Sequence, residues 1–400
     1  MASKKTIEII KSTVPALKEH VESITRVFYK NLFNNHPELK DTFNMVHQKK
    51  GTQQIALANA VFQYAVHIDK LEMLGNAVEN IAQKHTSLSI PKEAYPIVGT
   101  HLLGAIKEIL GNAATTEIID AWAEAYGDLA SILITKEEDI YKNREKSAGG
   151  FRGMKKFVLV DKKAESSVIT SFYLKRKDGS EIPHFIPGQF IALNTEIPNT
   201  DHKHTRNYSL SDVPNKRHIR ISVKKEIGSP NGIVSNYLHD NLEIGSIIDI
   251  GMPSGNFVIK DSKKPLVLIS GGVGITPLLS MFKYEAKKDN REILFIQCAL
   301  NSKTHAFKNE INEVTNEKTK SIVVYSEPTV EDKKLINFDF TGLLTIDIFS
   351  ALKVSNDSDF YFCGPTKFMA NTLLILQKMN IKESQINYEF FGPEEELHLN

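Results

Sequence analysis

The chain has 400 residues, 41% hydrophobic and 24% charged. It has enough apolar material for packed cores and too balanced a composition for a disordered polymer. Lys+Arg 49 against Asp+Glu 48 leaves a formal net charge of +1, without the basic excess of a dedicated nucleic-acid binder. Two cysteines, Cys298 and Cys363, exclude a disulfide framework, a four-cysteine zinc site and a cysteine-ligated iron–sulfur cluster, and they fit a reducing compartment.

At roughly 100–200 residues per domain, the length allows two to four domains. The N-terminus, Met-Ala-Ser-Lys-Lys-Thr-Ile-Glu, lacks the apolar stretch of a secretion signal. The longest apolar run, Pro265 to Phe282, is broken by Gly271, Gly272, Gly274 and Pro277. It is too short and too interrupted to cross a bilayer. A cytoplasmic protein with no integral membrane segment is expected.

Helical spacing dominates as far as Glu145, and glycine then clusters at Gly149-Gly150. In the segment Leu74–His85, Leu74, Val78, Ile81 and His85 recur at helical spacing, which puts a histidine on the buried stripe. In Asp120–Tyr141 the same spacing joins Trp122, Tyr126, Leu129, Leu133 and Glu137. After Pro91, one face holds Tyr95, Val98, Leu102 and Ile109. Burying such polar groups is costly unless each finds a partner, and a His–carboxylate–Tyr cluster would satisfy all three. An inward histidine backed by a carboxylate is what a haem axial ligand looks like. A core histidine paired for structural reasons fits the spacing equally, and is the commoner case. An earlier set places Val21, Phe28 and Leu32 inward with Tyr29 beside them. Gln53, Leu57, Val61 and Tyr64 then follow one face. Tyr29 and Gln53 could donate hydrogen bonds into a pocket roofed by Leu57; tyrosines and glutamines at core margins are also common.

Beyond the glycines come short β-branched runs: Phe157–Val160, Val168–Leu174, His218–Val223, Ile247–Ile250, Leu266–Ile269, Ile293–Gln297, Ile322–Tyr325 and Phe360–Cys363. Up to Asp261 they lie close together between polar turns, as in a small antiparallel barrel. From Ser262 they alternate with helical patterns at Thr276–Ala286, Thr304–Val314 and Thr366–Met379, which implies an α/β domain with a parallel sheet. The expected organisation is an all-α domain at 1–146, a hinge at 147–150, a β-barrel at 151–261 and an α/β domain at 262–400.

Three weak signals stand in order in the barrel segment. Pro187-Gly188-Gln189-Phe190 supplies a turn and an aromatic. In Arg206-Asn207-Tyr208-Ser209 an arginine can hold a phosphate bidentately, a tyrosine ring can lie against a planar heterocycle and a serine can bond its edge. Asn231-Gly232-Ile233-Val234-Ser235-Asn236-Tyr237-Leu238 reads as a glycine turn opening a helix whose free N–H groups could bind a pyrophosphate. Further on, the strand Leu266–Ser270 runs into Gly271-Gly272-Val273-Gly274-Ile275-Thr276-Pro277, a nucleotide-phosphate cradle with proline in place of the third glycine.

The segments FYKNLFNNHPELKDTFNM (Phe28–Met45), IAQKHTS (Ile81–Ser87) and DAWAEAYGDLA (Asp120–Ala130) resemble the globin domain of the flavohaemoglobins, and the likeness covers nearly the whole chain in family order. The barrel motifs are similar to the FAD domain of the ferredoxin–NADP reductase superfamily, and the Thr276-Pro277 ending matches its nucleotide-binding variant. The resemblance implies haem b, FAD and NADH or NADPH as cofactors. It implies His85 as the iron ligand, Tyr95 and Glu137 as the network that polarises it, Lys84 as the basic residue beside it, and Tyr29, Gln53 and Leu57 as the distal pocket. For flavin and nicotinamide it implies Phe190, Arg206, Asn207, Tyr208, Ser209, Gly232, Ser235, Gly272, Val273, Gly274, Ile275, Thr276, Pro277, Cys363 and Gly364. The tail Glu389, Phe390, Phe391, Gly392 and Pro393 carries the family's flavin-shielding aromatic. Two positions depart from the common pattern: Phe390 stands where cysteine is frequent, and Phe190 where tyrosine is, losing one hydroxyl.

The implied activity is nitric oxide dioxygenase: NAD(P)H reduces FAD, FAD reduces haem, and haem-bound O2 oxidises NO to nitrate. The partners implied are the small molecules O2, NO and NAD(P)H, with no nucleic acid and no obligate protein partner. Alternatives are a flavin or haem reductase for other small acceptors, and a gas-sensing or oxygen-binding globin. Cys298-Ala299-Leu300-Asn301 contains no acidic residue to select NADH. On this reading Arg206→Ala lowers FAD retention; purification of the variant with its full flavin content would defeat the assignment.

Overall fold

The computed structural model describes residues 2–43, 45, 48, 51–228 and 231–392, the Thr52 side chain excepted. Pro393 lies outside the described residues. Contacts gather the chain into two compact units, one of residues 1–154 with 194–206, the other of 155–193 with 207–391.

The first unit is built of helices α1 (Lys4–Asn35), α2 (Thr52–Val66), α3 (Gly75–Ser87), α4 (Ala94–Leu110) and α5 (Thr116–Lys146). Ser3 and Thr115 cap the two long helices, their hydroxyls accepting from the N–H groups of Thr6 and Ile118. Isolated helices are marginal in water, so tertiary burial of one face sustains them. That face carries Leu17, Ile24, Phe28 and Leu32 from α1, Val61 and Tyr64 from α2, Leu102 and Ile106 from α4, and Ala121, Trp122 and Ala125 from α5. Each fully buried Leu, Ile or Phe contributes roughly 1.5–3 kcal/mol. Of the stripes expected from the sequence, those on α1, α2, α4 and α5 send residues into this core, whereas Leu74, Val78, Ile81 and His85 are only half-buried and α3 buries Ala82, Thr86 and Ser87 instead. Helix α5 ends at Lys146, and a Cβ on Gly150 would fall 1.9 Å from the Arg144 carbonyl oxygen, so only glycine lets the chain turn this closely there.

A six-stranded sheet has the order β4-β3-β6-β1-β2-β5, formed by β1 (Lys155–Ala164), β2 (Ile169–Arg176), β3 (Phe190–Thr195), β4 (His204–Ser209), β5 (Ile219–Lys224) and β6 (Ile247–Ile250); all of it but the end of β3 and the start of β4 belongs to the second unit. Strand β1 pairs antiparallel with β2 and β6, and β2 with β5. Past the end of β4, Leu210 bridges Ile221 on β5. The two outer strands of the sheet thereby meet, which closes it into a barrel and leaves no open edge there. Helix α6 (Ile233–Asp240) follows β5.

The second sheet has the order β10-β9-β8-β7-β11-β12, and every pairing in it is parallel. Its strands are β7 (Leu266–Gly271), β8 (Ile293–Ala299), β9 (Thr319–Tyr325), β10 (Phe340–Thr341), β11 (Asp359–Cys363) and β12 (Ile386–Tyr388). All six residues of β7 are buried, as a central parallel strand covered on both faces requires. Helices α7 (Ile275–Lys288) and α11 (Thr366–Lys378) follow β7 and β11; the short helices α8 (Lys308–Asn312), α9 (Val330–Leu335) and α10 (Ile346–Ala351) lie between.

One helix is shorter than its pattern. Spacing predicts Thr304–Val314, and the helix is Lys308–Asn312. The Thr304 and His305 N–H groups turn back onto the Asn301 carbonyl, and the His305 ring is held between the Tyr325 hydroxyl (2.9 Å) and the Gln297 carbonyl (2.8 Å). Phe307 then adopts φ 64, which is outside the helical region.

At the base of the parallel sheet, Arg291 and Glu285 are almost wholly buried and joined through two bonds of 3.0 and 2.6 Å to one carboxylate oxygen. Glu285→Ala leaves the guanidinium buried without its partner and lowers unfolding free energy by about 3–5 kcal/mol, measured by urea denaturation; a loss below about 1 kcal/mol would show that Arg291 is rescued by Asp359, 3.8 Å away.

Candidate active site

In the helical unit, three helices converge on one imidazole. His85 sits in the last turn of α3, Tyr95 in the first turn of α4 and Glu137 two-thirds of the way along α5. His85 Nδ1 lies 2.8 Å from Glu137 Oε1 and 3.0 Å from the Tyr95 hydroxyl, and that hydroxyl donates to the same carboxylate oxygen at 2.5 Å. A carboxylate only accepts, so the proton on the ring belongs on Nδ1, and Nε2 keeps its lone pair for a ligand. Burial and the Glu137 carboxylate push the Tyr95 hydroxyl far above the usual phenol range, which keeps it a donor. Tyr126 donates to the Tyr95 carbonyl at 2.6 Å, and a Cβ on Gly99 would fall 2.6 Å from the Tyr126 ring. Arg144, two turns beyond Glu137, donates to Gln83 (2.6 Å) and Thr86 (2.9 Å) on either side of His85. Neither Arg144 nor Tyr126 stood out in the sequence as part of this site; the signal was their helical spacing from Glu137 and Trp122. Lys84 is half-buried, and its carbonyl accepts from the Ser87 hydroxyl at 2.7 Å.

Tyr29 is buried on α1 against Phe28, Phe33 and Phe43. Gln53 is its hydrogen-bonding neighbour, as is Gln48, which the sequence did not single out because no helical pattern surrounds it. Gln54 ties Gln48 down through two bonds of 3.1 and 2.9 Å. Leu57 packs half-buried on the same cluster. The chemistry available is an imidazole nitrogen in one cluster and a phenol with amides in the other.

In the second unit, the glycine turn and the end of β11 pack backbone to backbone. A Cβ on Gly274 would lie 2.2 Å from the Cys363 carbonyl oxygen and 2.6 Å from the Gly364 nitrogen. Gly272 has φ 52 and open space over its Cα, so its backbone is free to meet a phosphate. Val273 closes the turn by accepting from the Thr276 hydroxyl at 3.0 Å, and Ile275, Thr276 and Pro277 form the buried first turn of α7. Burial pushes the Cys363 thiol far above its usual range, and it donates to the Glu389 carbonyl at 3.4 Å. That thiol is not a nucleophile at neutral pH. The Glu389 carboxylate reaches to 3.9 Å from where a Cβ on Gly255 would stand, and Gly255 lies under the Phe190 ring. Phe190, Gly255, Glu389, Cys363 and Gly274 therefore form one run of contacts between barrel and parallel sheet. Tyr388 stacks on Phe362 and meets Phe390 edge-on, while Phe391 is half-exposed beside Gly392.

On β4, Arg206 and Tyr208 alternate with Asn207 and the buried Ser209. Arg206 donates to the Thr205 carbonyl at 2.7 Å. Gly232 caps α6 with no side-chain bond of its own, and Ser235 is turned inward, its hydroxyl accepting from the Glu226 N–H at 3.3 Å.

Residues 26–133 match the Globin family, 156–259 the oxidoreductase FAD-binding domain family and 268–373 the oxidoreductase NAD-binding domain family. Over 98% of its length the chain is 47% identical to a Flavohemoprotein of Bacillus cereus, covering 99% of that protein. Among solved structures it is similar to a flavohemoglobin from Malassezia yamatoensis with bound FAD and heme (TM-score 0.85, 28% identity, 98% of this chain and 99% of that one). It is also similar to the FAD/NAD binding domain of a nitric oxide dioxygenase from Vibrio cholerae (TM-score 0.56, 31% identity, 60% of this chain and 100% of that one).

Burial pushes the hydroxyls of Tyr29, Tyr64 and Tyr141 up to about 12. The unfolded chain titrates these groups near pH 10, so it loses protons first. Stability is unaffected below that and falls as pH rises from about 10 to about 12. Tyr29→Phe should remove roughly 2–3 kcal/mol of this loss, read by urea unfolding at fixed pH across the window. An unchanged slope would show that the Tyr29 hydroxyl is solvated.

Proposed function

Because the chain belongs to the flavohemoprotein family, we propose that it is an NAD(P)H-dependent nitric oxide dioxygenase, converting NO and O2 to nitrate in the cytoplasm without an obligate protein partner. The observation that carries this reading is the His85–Glu137–Tyr95 triangle, built on a buried carboxylate, in the globin unit of a chain that also carries FAD- and NAD-binding oxidoreductase domains. Oxygen storage needs no attached reductase. Haem b, FAD and NADH or NADPH supply, when bound, hydride acceptance, single-electron transfer and dioxygen chemistry.

The residues present fit these groups. Nδ1 of His85 is engaged by a carboxylate, which leaves Nε2 as a basic iron ligand, the arrangement that raises ligand electron donation. Glu137 Oε1 accepts one hydrogen bond from the ring Nδ1–H and one from the Tyr95 hydroxyl, so the tyrosine holds the carboxylate in place against the ring. Tyr29, with Gln53 beside it, would supply a hydrogen-bond donor to a small ligand held by such a group, and its raised pKa keeps it protonated throughout the physiological range. Leu57 keeps that pocket apolar. On the barrel strand β4, Arg206 and Tyr208, with the open end of α6 at Gly232, suit a flavin and its pyrophosphate, with Asn207, Ser209 and Ser235 shaping the strand and turn. Phe190 and Phe390 offer apolar surface to a flavin ring. Gly272–Pro277, Cys363 and Gly364 suit a nicotinamide nucleotide. We place the domain limits at 1–146, 151–261 and 262–400, with 147–150 as the joint.

The test is aerobic consumption of NADH and NO by the purified, cofactor-loaded protein, with nitrate as the product measured. Nitrate equimolar with NO, abolished in His85→Ala, is the expected result. NADH oxidation indifferent to NO would overturn it and leave a flavin reductase.

A further inference from the structure

A cluster of four charged side chains joins the two lobes of the reductase unit. Asp212 lies on the turn after β4, Arg220 on β5, Lys283 on α7 and Glu310 on α8. Lys283 Nζ donates to Asp212 Oδ1 at 2.5 Å and also to Glu310. Arg220 forks onto Glu310 through two bonds of 2.9 and 3.0 Å and grips Ser211 through its hydroxyl (3.2 Å) and its carbonyl. The Ser280 hydroxyl donates to the Asp212 carbonyl at 2.6 Å. All of these side chains are buried or nearly so, Lys283 being 16% exposed. Two cations meet two carboxylates, so the cluster is neutral.

Its place in the chain is what matters. Asp212 follows, three residues on, from Ser209, the end of the Arg-Asn-Tyr-Ser strand. Ser280 and Lys283 follow, three and six residues on, from Pro277, the end of the glycine turn. The bonds therefore run between the segment that would hold flavin and the helix that would present the nicotinamide. Buried ion clusters contribute little net stability compared with apolar packing of the same volume, but they demand one geometry. A serine relay completes the clamp on the barrel side: Ser211 bonds Ser222 at 2.7 Å, and Ser222 bonds Ser171 at 2.8 Å.

We propose that Lys283 is a positioning residue: bridging Asp212 and Glu310, it locks α7 to the flavin-motif end of the barrel and so fixes the distance over which hydride passes. The inference rests on the reading of this unit as an NAD(P)H-to-FAD reductase. In that step a C–H bond of the dihydronicotinamide breaks, its electron pair moves with the hydrogen to form an N–H bond on the flavin, and the nicotinamide is oxidised as the flavin is reduced. No other reactant is needed. Lys283 touches none of the reacting atoms.

The experiment uses the full chain purified with its flavin, as wild type, Lys283→Met and Lys283→Arg. Hydrogen exchange should quicken in Lys283→Met at residues 210–213 and 276–283 together, with the β1–β2 pair unchanged. Anaerobic rapid mixing with NADH and with NADH deuterated at the transferred position should show the limiting rate of flavin reduction falling roughly ten- to a hundredfold. The primary isotope effect should grow, and the dissociation constant for NADH should move less than about threefold. Lys283→Arg should restore most of the rate. A limiting rate and isotope effect equal to wild type overturn the proposal. So does a rate loss explained entirely by lost FAD or weakened NADH binding, since that is a merely structural role. If Lys283→Met does not fold, Asp212→Asn keeps the shape, weakens the same bridge and is judged by the same criteria. If the wild-type flavin is not reduced by NADH or NADPH at all, it is the reductase reading that fails, while the paired exchange response still reports whether the clamp exists.

Discussion

Glu137 is a carboxylate with only 4% of its surface exposed, and the helical unit is arranged around satisfying it. An unpartnered buried charge would cost several kcal/mol, a large part of a domain's net stability. Two donors from two other helices meet it, and each fixes a helix end: Tyr95 the start of α4, His85 the end of α3. The arrangement that makes the carboxylate tolerable is the one that orients the imidazole, so stability and chemistry depend on the same bonds. Arg144 and Tyr126, carried on the Glu137 helix, extend that hold to the neighbours of His85 and to the Tyr95 backbone.

The reductase unit works by close backbone approach. Gly274 lies against the Cys363–Gly364 peptide, and Gly255 against Phe190; a side chain at either glycine would collide. The first of these contacts brings the ends of the neighbouring strands β7 and β11 together, and Gly272 has open space above it. The charged cluster at Asp212, Arg220, Lys283 and Glu310 ties helix α7, which starts at that glycine turn, to β5 and the turn after β4. Two kinds of contact thus hold this unit together, one permitted by the absence of side chains and the other made by paired charges.

Much of this was legible in the sequence, for reasons that differ by element. The stripes through His85, Glu137 and Tyr95 were readable because a helix repeats its face every 3.6 residues, and a polar residue on an apolar face needs a partner. The strands β7, β8 and β11 were readable as continuous apolar runs. Strand β3 was read only as a turn and an aromatic, and β10 and β12, two and three residues long, are too short to show a period. The helix expected from Thr304 lost its first turn because His305 is drawn into side-chain bonds with Gln297 and Tyr325, partners that local pattern does not reveal.

The sequence by itself determined the order of modules, the helical and parallel-sheet character of its two ends, and the residue types set aside for chemistry. All of these are encoded in local period and in motif order. Tertiary structure alone decided which ring nitrogen of His85 is engaged, that Gln48 stands with Gln53 beside Tyr29, that Leu210 meets Ile221 to close the barrel, and that Lys283 is shared between Asp212 and Glu310. Each of these is a contact between segments distant along the chain. Such contacts are set by the competition to bury apolar surface while pairing every buried polar group, and that competition is resolved only when the whole chain has folded.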